Sequence, residues 1–347
     1  MMKIRKMIAV ILLFSSVQTL CACGHIHTDI PEKIHIGVAC YNQSDTFLAE
    51  LLESLRTQAE MISEDDCSII LTMRDAAGSQ RTQNDQVEEL IDAGCNVLCV
   101  NLVERADPSD IIDLARDRNV PIIFFNREPV TEDLMQWDGL YYVGADARQS
   151  GVMQGELAAE CIKANDQIDK NKDGKIQYVV LEGEPGHQDS IIRTESAVET
   201  IKSKGIELEK LSYGIANWNR AQAQNRMIQM LGQYHHKIEL VLANNDDMAL
   251  GAIDAYENMN FTESAFPVFF GIDGTVVGLE AIKAQKLDGT VYNDKEGQAK
   301  AMLELARTLI CGGDFENLDL INGKYIYLPY IKVDLSNVNG FIDADEK

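Results

Sequence analysis

Five carboxylate or carboxamide side chains stand just after apolar runs of strand length: Asp45, Asn126, Asn245, Asp273 and Asn293. Asp and Asn present the donors and acceptors that suit hydroxyl groups, although any one of them after a strand is equally a turn or N-cap residue. Repetition in both halves of the chain is what singles them out. The segment Gly183-Glu184-Pro185-Gly186-His187-Gln188-Asp189 leaves a further apolar run and enters a helical pattern with Arg193 one turn beyond Asp189. That spacing lets carboxylate and guanidinium converge on vicinal hydroxyls, and it also fits a capped helix with a surface ion pair. No Ser or Cys stands in a nucleophile elbow, and His187 with Asp189 makes no hydrolytic set by itself.

A second constellation lies between the halves. In Asp169-Lys170-Asn171-Lys172-Asp173-Gly174-Lys175-Ile176-Gln177, oxygen side chains occupy positions 1, 3 and 5, glycine position 6 and glutamine position 9. Lys175 at position 7 offers its backbone carbonyl, so the spacing is that of a calcium loop. Position 12 is Val180 instead of Glu, and a strand-like run follows where an EF-hand has its second helix. Calcium would need another carboxylate from elsewhere in the chain; without it the segment reads as a solvated polar turn.

Such residues need a frame, and the hydrophobic pattern supplies one. Short apolar runs at 34–40, 68–73, 96–100, 120–125 and 141–143 alternate with amphipathic stretches, and a second series runs through 176–181, 206–211, 239–242, 268–271 and 289–292. Alternating β/α units repeated twice predict an α/β protein with two doubly wound lobes, each built on a parallel sheet. Ligands of such sheets sit beyond the carboxyl ends of the strands, where the five Asp and Asn residues fall.

The chain has 347 residues and a formal net charge of -24. That charge argues against a phosphate-backbone partner, so nucleic acid is not expected. Lys3, Arg5 and Lys6 precede an apolar run from Met7 to Leu20, the layout of an export signal. Leu20-Cys21-Ala22-Cys23 resembles a lipobox, which makes residues 1–22 a lipoprotein signal peptide, Cys23 the lipidated residue and 23–32 a tether. The other cysteines, Cys40, Cys67, Cys95, Cys99, Cys161 and Cys311, show no zinc-type clustering and read mostly as buried thiols.

Taken together, Gln83-Asn84-Asp85-Gln86, Asn101-Leu102-Val103, VPIIFFNREP (120–129), YYVGAD (141–146), DKNKDGKIQ (169–177), EGEPGH with Asp189, Arg193 and Thr194, ANND (243–246), GID (271–273) and GTVYND (289–294) make the chain resemble the periplasmic glucose/galactose-binding proteins of ABC sugar importers. The resemblance covers nearly the whole mature chain. It implies the type I periplasmic binding protein fold, with lobes of 33–144 plus 295–327 and 145–294 plus 328–347 joined by a three-strand hinge. It implies a cleft that closes on D-galactose or D-glucose, with Asp45 and Asn126 contacting it from the first lobe. His187, Asp189, Arg193, Asn245, Asp273 and Asn293 would contact it from the second. Phe47 and Trp218 match the family's aromatics on the two faces of the ring, a division that suits a pyranose with apolar faces and a polar rim. The family also supplies the missing calcium donor, which here is Glu239, completing a structural Ca2+ site with Asp169, Asn171, Asp173, Gln177 and the Lys175 carbonyl. The implied partners are an ABC permease and ATPase, with a chemoreceptor in some family members. The implied product is a non-enzymatic monomer on the outer face of the cytoplasmic membrane or in the periplasm.

Gln188, Ser190 and Asn42 to Ser44 depart from the residue types of that family and bear on epimer preference. Three other readings compete. A binder of a pentose or of a sugar-like signalling molecule would share the fold; a sugar-responsive repressor would need an N-terminal helix-turn-helix where this chain has an export signal; a secreted glycosidase would turn over a glycoside.

Overall fold

The computed structural model describes residues 33–62 and 68–345; the export signal, Cys23, the tether and Cys67 lie outside the described residues. Its central strands are short, apolar and covered on both faces, as parallel strands under helical layers must be. The first series runs β1 (Lys33–Cys40), α1 (Thr46–Ile62), β2 (Ser68–Asp75), α2 (Gln80–Asp92), β3 (Val97–Val100), α3 (Ser109–Asp117), β4 (Ile122–Phe125), α4 (Thr131–Leu134) and β5 (Leu140–Ala145). The second runs α5 (Ala147–Ala164), β6 (Ile176–Glu182), α6 (Gln188–Ser203), β7 (Leu208–Ile215), α7 (Arg220–Tyr234), β8 (Leu240–Ala243), α8 (Asp246–Asn258), β9 (Val268–Phe270), α9 (Val276–Lys283) and β10 (Thr290–Tyr292). The chain then returns through α10 (Lys295–Cys311), β11 (Tyr325–Leu328), β12 (Ile331–Val333) and α11 (Asn339–Asp345).

One sheet has the order β11-β5-β4-β3-β1-β2 and a second has β7-β6-β8-β9, and all their pairings are parallel. β10 and β12 form an antiparallel pair, which single bridges from Phe270 to Gly289 and from Asp273 to Tyr292 join to the edge of the second sheet. Consequently the chain passes between lobes after β5, between β10 and α10, and between β11 and β12. Each sheet is sandwiched by two apolar clusters: α1 and α10 against α2 and α3 on the first, α7, α8 and α9 against α5 and α6 on the second. Cys40, Cys95 and Cys99 are buried free thiols, Cys161 is a half-buried one, and Cys311 is half-buried at the end of α10.

Candidate functional site

The carboxyl ends of both sheets face one cavity with about 350 Å³ of empty space, lined by Tyr41, Asp45, Phe47, Asn126, Arg127, His187, Asp189, Arg193, Trp218, Asn245 and Asp273. From the first lobe, Asp45 caps the first turn of α1 by accepting from the Leu48 N–H at 2.9 Å, and Tyr41 donates its hydroxyl to Asp45 at 2.6 Å. Phe47 follows in that same turn and is buried. Asn126 leaves β4 with φ +60°, accepts from Asn101 Nδ2 at 3.0 Å and has its carbonyl bound by the Tyr142 hydroxyl. Arg127 lies 3.5 Å over the Tyr41 ring and donates to the Val103 carbonyl.

The second lobe brings the larger polar set. His187 caps α6 by accepting from the Asp189 N–H at Nδ1, so the neutral ring carries its proton on Nε2. Burial, reinforced by Arg127, Arg193 and Arg105 against the opposing pull of Asp189, lowers its pKa to about 4. Arg193 is fully enclosed: Nη1 donates to the Asn244 carbonyl and Nη2 to the Tyr330 hydroxyl, while Asp189 and Asp273 each approach to 3.7 Å. Burial alone would lower the Arg193 pKa, but Tyr330 and the two carboxylates outweigh it and raise it. Burial pushes the Asp273 carboxyl well above the usual range, against the pull of Arg193. Asn245 caps α8 through the Met248 N–H and donates to the Trp218 carbonyl. Trp218 itself stands edge-on to His187 with centroids 5.2 Å apart.

Three of the wall residues, Asn126, Trp218 and Asp273, have positive φ, Asp273 reaching +114°. Such conformations persist only where the surroundings over-determine them, and they cluster at ligand sites.

The lobes are closed over the cavity. Thr46 donates to Asp247 at 2.6 Å, the Val276 N–H donates to Glu50 at 3.0 Å, and Arg105 donates to Gln188 at 2.6 Å across the cleft. Arg127 Nη2 lies 3.0 Å from Glu184 Oε2 without an aligned hydrogen bond, and Arg193 Nε also lacks a partner. Buried guanidinium donors left open at a cavity wall call for acceptor oxygens.

Of the ten residues the resemblance implied as ligand contacts, Asn293 is not part of this wall. It is buried at the hinge, where its Oδ1 accepts from Gln298 Nε2 at 2.7 Å. Tyr41 and Arg127 join the wall without having been expected. Tyr41 sits four residues before Asp45 and Arg127 directly after Asn126, so their positions at strand ends were the only signal.

The loop from Asp169 to Gln177 closes around its own side-chain oxygens. The Asp173 N–H donates to Asp169 and Asn171, the Gly174 N–H to Asp169, and the Lys175 N–H to Asp173. Gly174 makes the sharp turn at φ +81°. Glu239, at the start of β8, accepts from the Lys170 N–H at 2.6 Å and the Gln177 N–H at 3.0 Å, so it reaches the loop from outside it. No three His, Cys, Asp or Glu side chains gather as a metal cluster among the described residues. The donor set is nonetheless oxygen-only, with two amide side chains and a carbonyl beside the carboxylates, and it suits a hard cation such as Ca2+. Neither the loop nor Glu239 lines the cavity.

Residues 36–314 match the family described as periplasmic binding protein domain. The chain is 34% identical over 331 residues to the D-galactose/methyl-galactoside binding periplasmic protein of Haemophilus influenzae, covering 94% of this chain and 98% of that one. It is 31% identical over 274 residues to a putative rhizopine-binding protein of Rhizobium meliloti, covering 78% and 82%. Among solved structures, an ABC transporter solute-binding protein of Bacillus halodurans C-125 with bound myo-inositol superposes with a TM-score of 0.75 at 29% identity, covering 91% of this chain and 99% of that chain.

Proposed function

Since the chain belongs to the periplasmic binding protein domain family, whose sugar-binding members serve ABC transport and are not enzymes, we propose that it captures D-galactose or D-glucose between its lobes and delivers it to an ABC permease and ATPase. The observation that carries this reading is the charge balance of the wall. Asp45, Asp189 and Asp273 face Arg127 and Arg193, with His187 neutral, and both guanidinium groups already have a carboxylate beside them. No unbalanced positive charge remains for a sugar acid or phosphate, so the wall suits a neutral polyhydroxyl ligand. Phe47 and Trp218, one from each lobe, offer apolar faces to a ring, while the open Arg127 and Arg193 donors and the His187 Nε2–H supply its oxygens.

Because contacts come from both lobes, ligand favours the closed form over the open one. Asp169, Asn171, Asp173, Gln177, Glu239 and the Lys175 carbonyl would hold Ca2+, whose charge would offset the carboxylates and tie the loop to β8. Cys23 would carry the lipid that keeps the exported chain at the membrane. Chemoreceptor docking and a monomeric state belong to the same proposal.

A second reading, a cyclitol or other polyol as ligand, is favoured by the myo-inositol in the 29%-identical Bacillus halodurans protein. Calorimetric titration of the chain lacking residues 1–23 with galactose, glucose, ribose, xylose and myo-inositol separates them. Tight one-to-one heat with a hexose, weakened in Asp273→Ala, supports the hexose reading. Preference for myo-inositol transfers the site to the second reading, and no heat with any of them from folded protein refutes both.

A further inference from the structure

Directly beneath the cavity floor, the first residue of α8 presents a side chain that touches no ligand position and yet is fully buried: Asp246. One oxygen accepts from the Thr290 hydroxyl at 2.5 Å; the other accepts from the Thr275 N–H at 2.8 Å and the Thr275 hydroxyl at 3.2 Å. Its own N–H donates to the Ile272 carbonyl at 2.8 Å. The two threonines extend the web, since Thr275 Oγ1 caps α9 by accepting from the Gly278 N–H and Thr290 Oγ1 accepts from the Gly274 N–H. The slot fits a carboxylate and nothing larger around it: a Cβ added at Gly271 would come within 2.2 Å of Asp246 Oδ1, and one at Gly278 within 2.4 Å of Oδ2.

What this web encloses is the turn between β9 and α9, whose only cavity-lining residue is Asp273. Asp273 adopts φ +114°, a conformation that an Asp holds only under external constraint. β10 constrains one side, through the Asp273 N–H to Val291 and the Asn293 N–H to the Asp273 carbonyl. The other side is held through Asp246. An acid buried without a basic partner is a costly way to fill space, and burial pushes Asp246 up to about 7.

We propose that Asp246 is a positioning residue that fixes the Asp273 carboxylate toward the ligand by stapling the 271–275 turn to α8 and β10. The proposal rests on the sugar-capture reading for its affinity arm only. Asp246→Ala removes all three acceptor contacts and is expected to weaken hexose binding by at least about 10-fold. Asp246→Asn can still accept from the Thr275 N–H with its oxygen and donate to Thr290 with its nitrogen, so it is expected to bind within about 3-fold of wild type. Because the effect runs through Asp273, Asp246→Ala combined with Asp273→Ala should lose no more affinity than Asp273→Ala alone. Full multiplication of the two losses, or wild-type affinity in Asp246→Ala, would overturn the proposal. If Asp246→Ala does not fold, Thr290→Val against Thr290→Ser makes the same comparison. Amide hydrogen exchange without any sugar provides the independent arm: Asp246→Ala should expose the Thr275 N–H while the core amides of α8 stay protected. Unchanged exchange at Thr275 would overturn the proposal even if the wild-type chain took no hexose, an outcome that would count against the capture reading alone.

Discussion

Gly183→Ala should damage the cavity through Trp218 without touching a polar contact. Gly183 has no left-handed backbone angle, so alanine is tolerated there conformationally, and the effect is steric. The new Cβ would lie 2.1 Å from Trp218 Cζ2 and 2.3 Å from Cε2 and Cη2, whereas carbon atoms rest about 3.5–4.0 Å apart. The indole must therefore recede by roughly 1 Å or more, and it is hemmed in by His187 and by Arg193, whose Cζ lies 5.8 Å from the ring centroid. Overpacking of this sort costs about 1–3 kcal/mol. If most of that falls on the ligand-competent position of the ring, hexose affinity drops roughly 5- to 100-fold. Calorimetry gives the affinity, and Trp fluorescence reports the ring, with Trp137 as a background outside the cavity lining. Unchanged affinity together with an unchanged ligand-induced Trp218 signal would refute the reasoning.

Three further outcomes are expected. His187 titrates near 4 in the fold against about 6.5 unfolded, so the unfolded state binds more protons between those values and stability falls as pH drops from about 6.5 to 4. Relative to His187→Gln the wild type should lose roughly 3 kcal/mol over that window, and parallel pH profiles in denaturant melts would contradict this. Thr46→Val removes the 2.6 Å bond to Asp247 that only the closed form makes; it should weaken hexose binding about 10-fold, and wild-type affinity by calorimetry would show that the bond does not hold the lobes. Saturating calcium should raise the thermal midpoint relative to a chelated sample, and Asp169→Ala should abolish most of the shift; a midpoint indifferent to calcium would remove the assignment of the loop.

The architecture was legible because its central strands are buried on both faces. β3, β4 and β8 are buried at every position, and such runs are hard to mistake when helical spacing separates them. β7 extends to Ile215, beyond the expected end at Leu211, because it is an edge strand with exposed positions that dilute the apolar signal. β10 falls on the expected run at 289–292, whereas β12 escaped notice because only one of its three residues is buried, too short an apolar run to show a period. At the site, nine residues named from the resemblance line one cavity. Tyr41 and Arg127 were missed because their role depends on a ring and a guanidinium meeting across two strand ends, a contact between positions far apart in the chain. Asn293 ends a strand like the others, but Gln298 on α10 takes up its carbonyl oxygen, a local competition that residue type alone does not reveal. Asp246 stood unremarked within the ANND segment, although Asn245, Asp246 and Asp247 face the cavity, the turn beneath it and the opposite lobe in succession.

The central claim is that one sugar held by both lobes favours the closed form. Small-angle X-ray scattering of the calcium-loaded chain lacking residues 1–23, titrated with D-galactose, tests it most directly. The account predicts a fall in radius of gyration that saturates at one sugar per chain and disappears in Asp189→Ala. A radius that stays constant through a titration in which galactose demonstrably binds would contradict it.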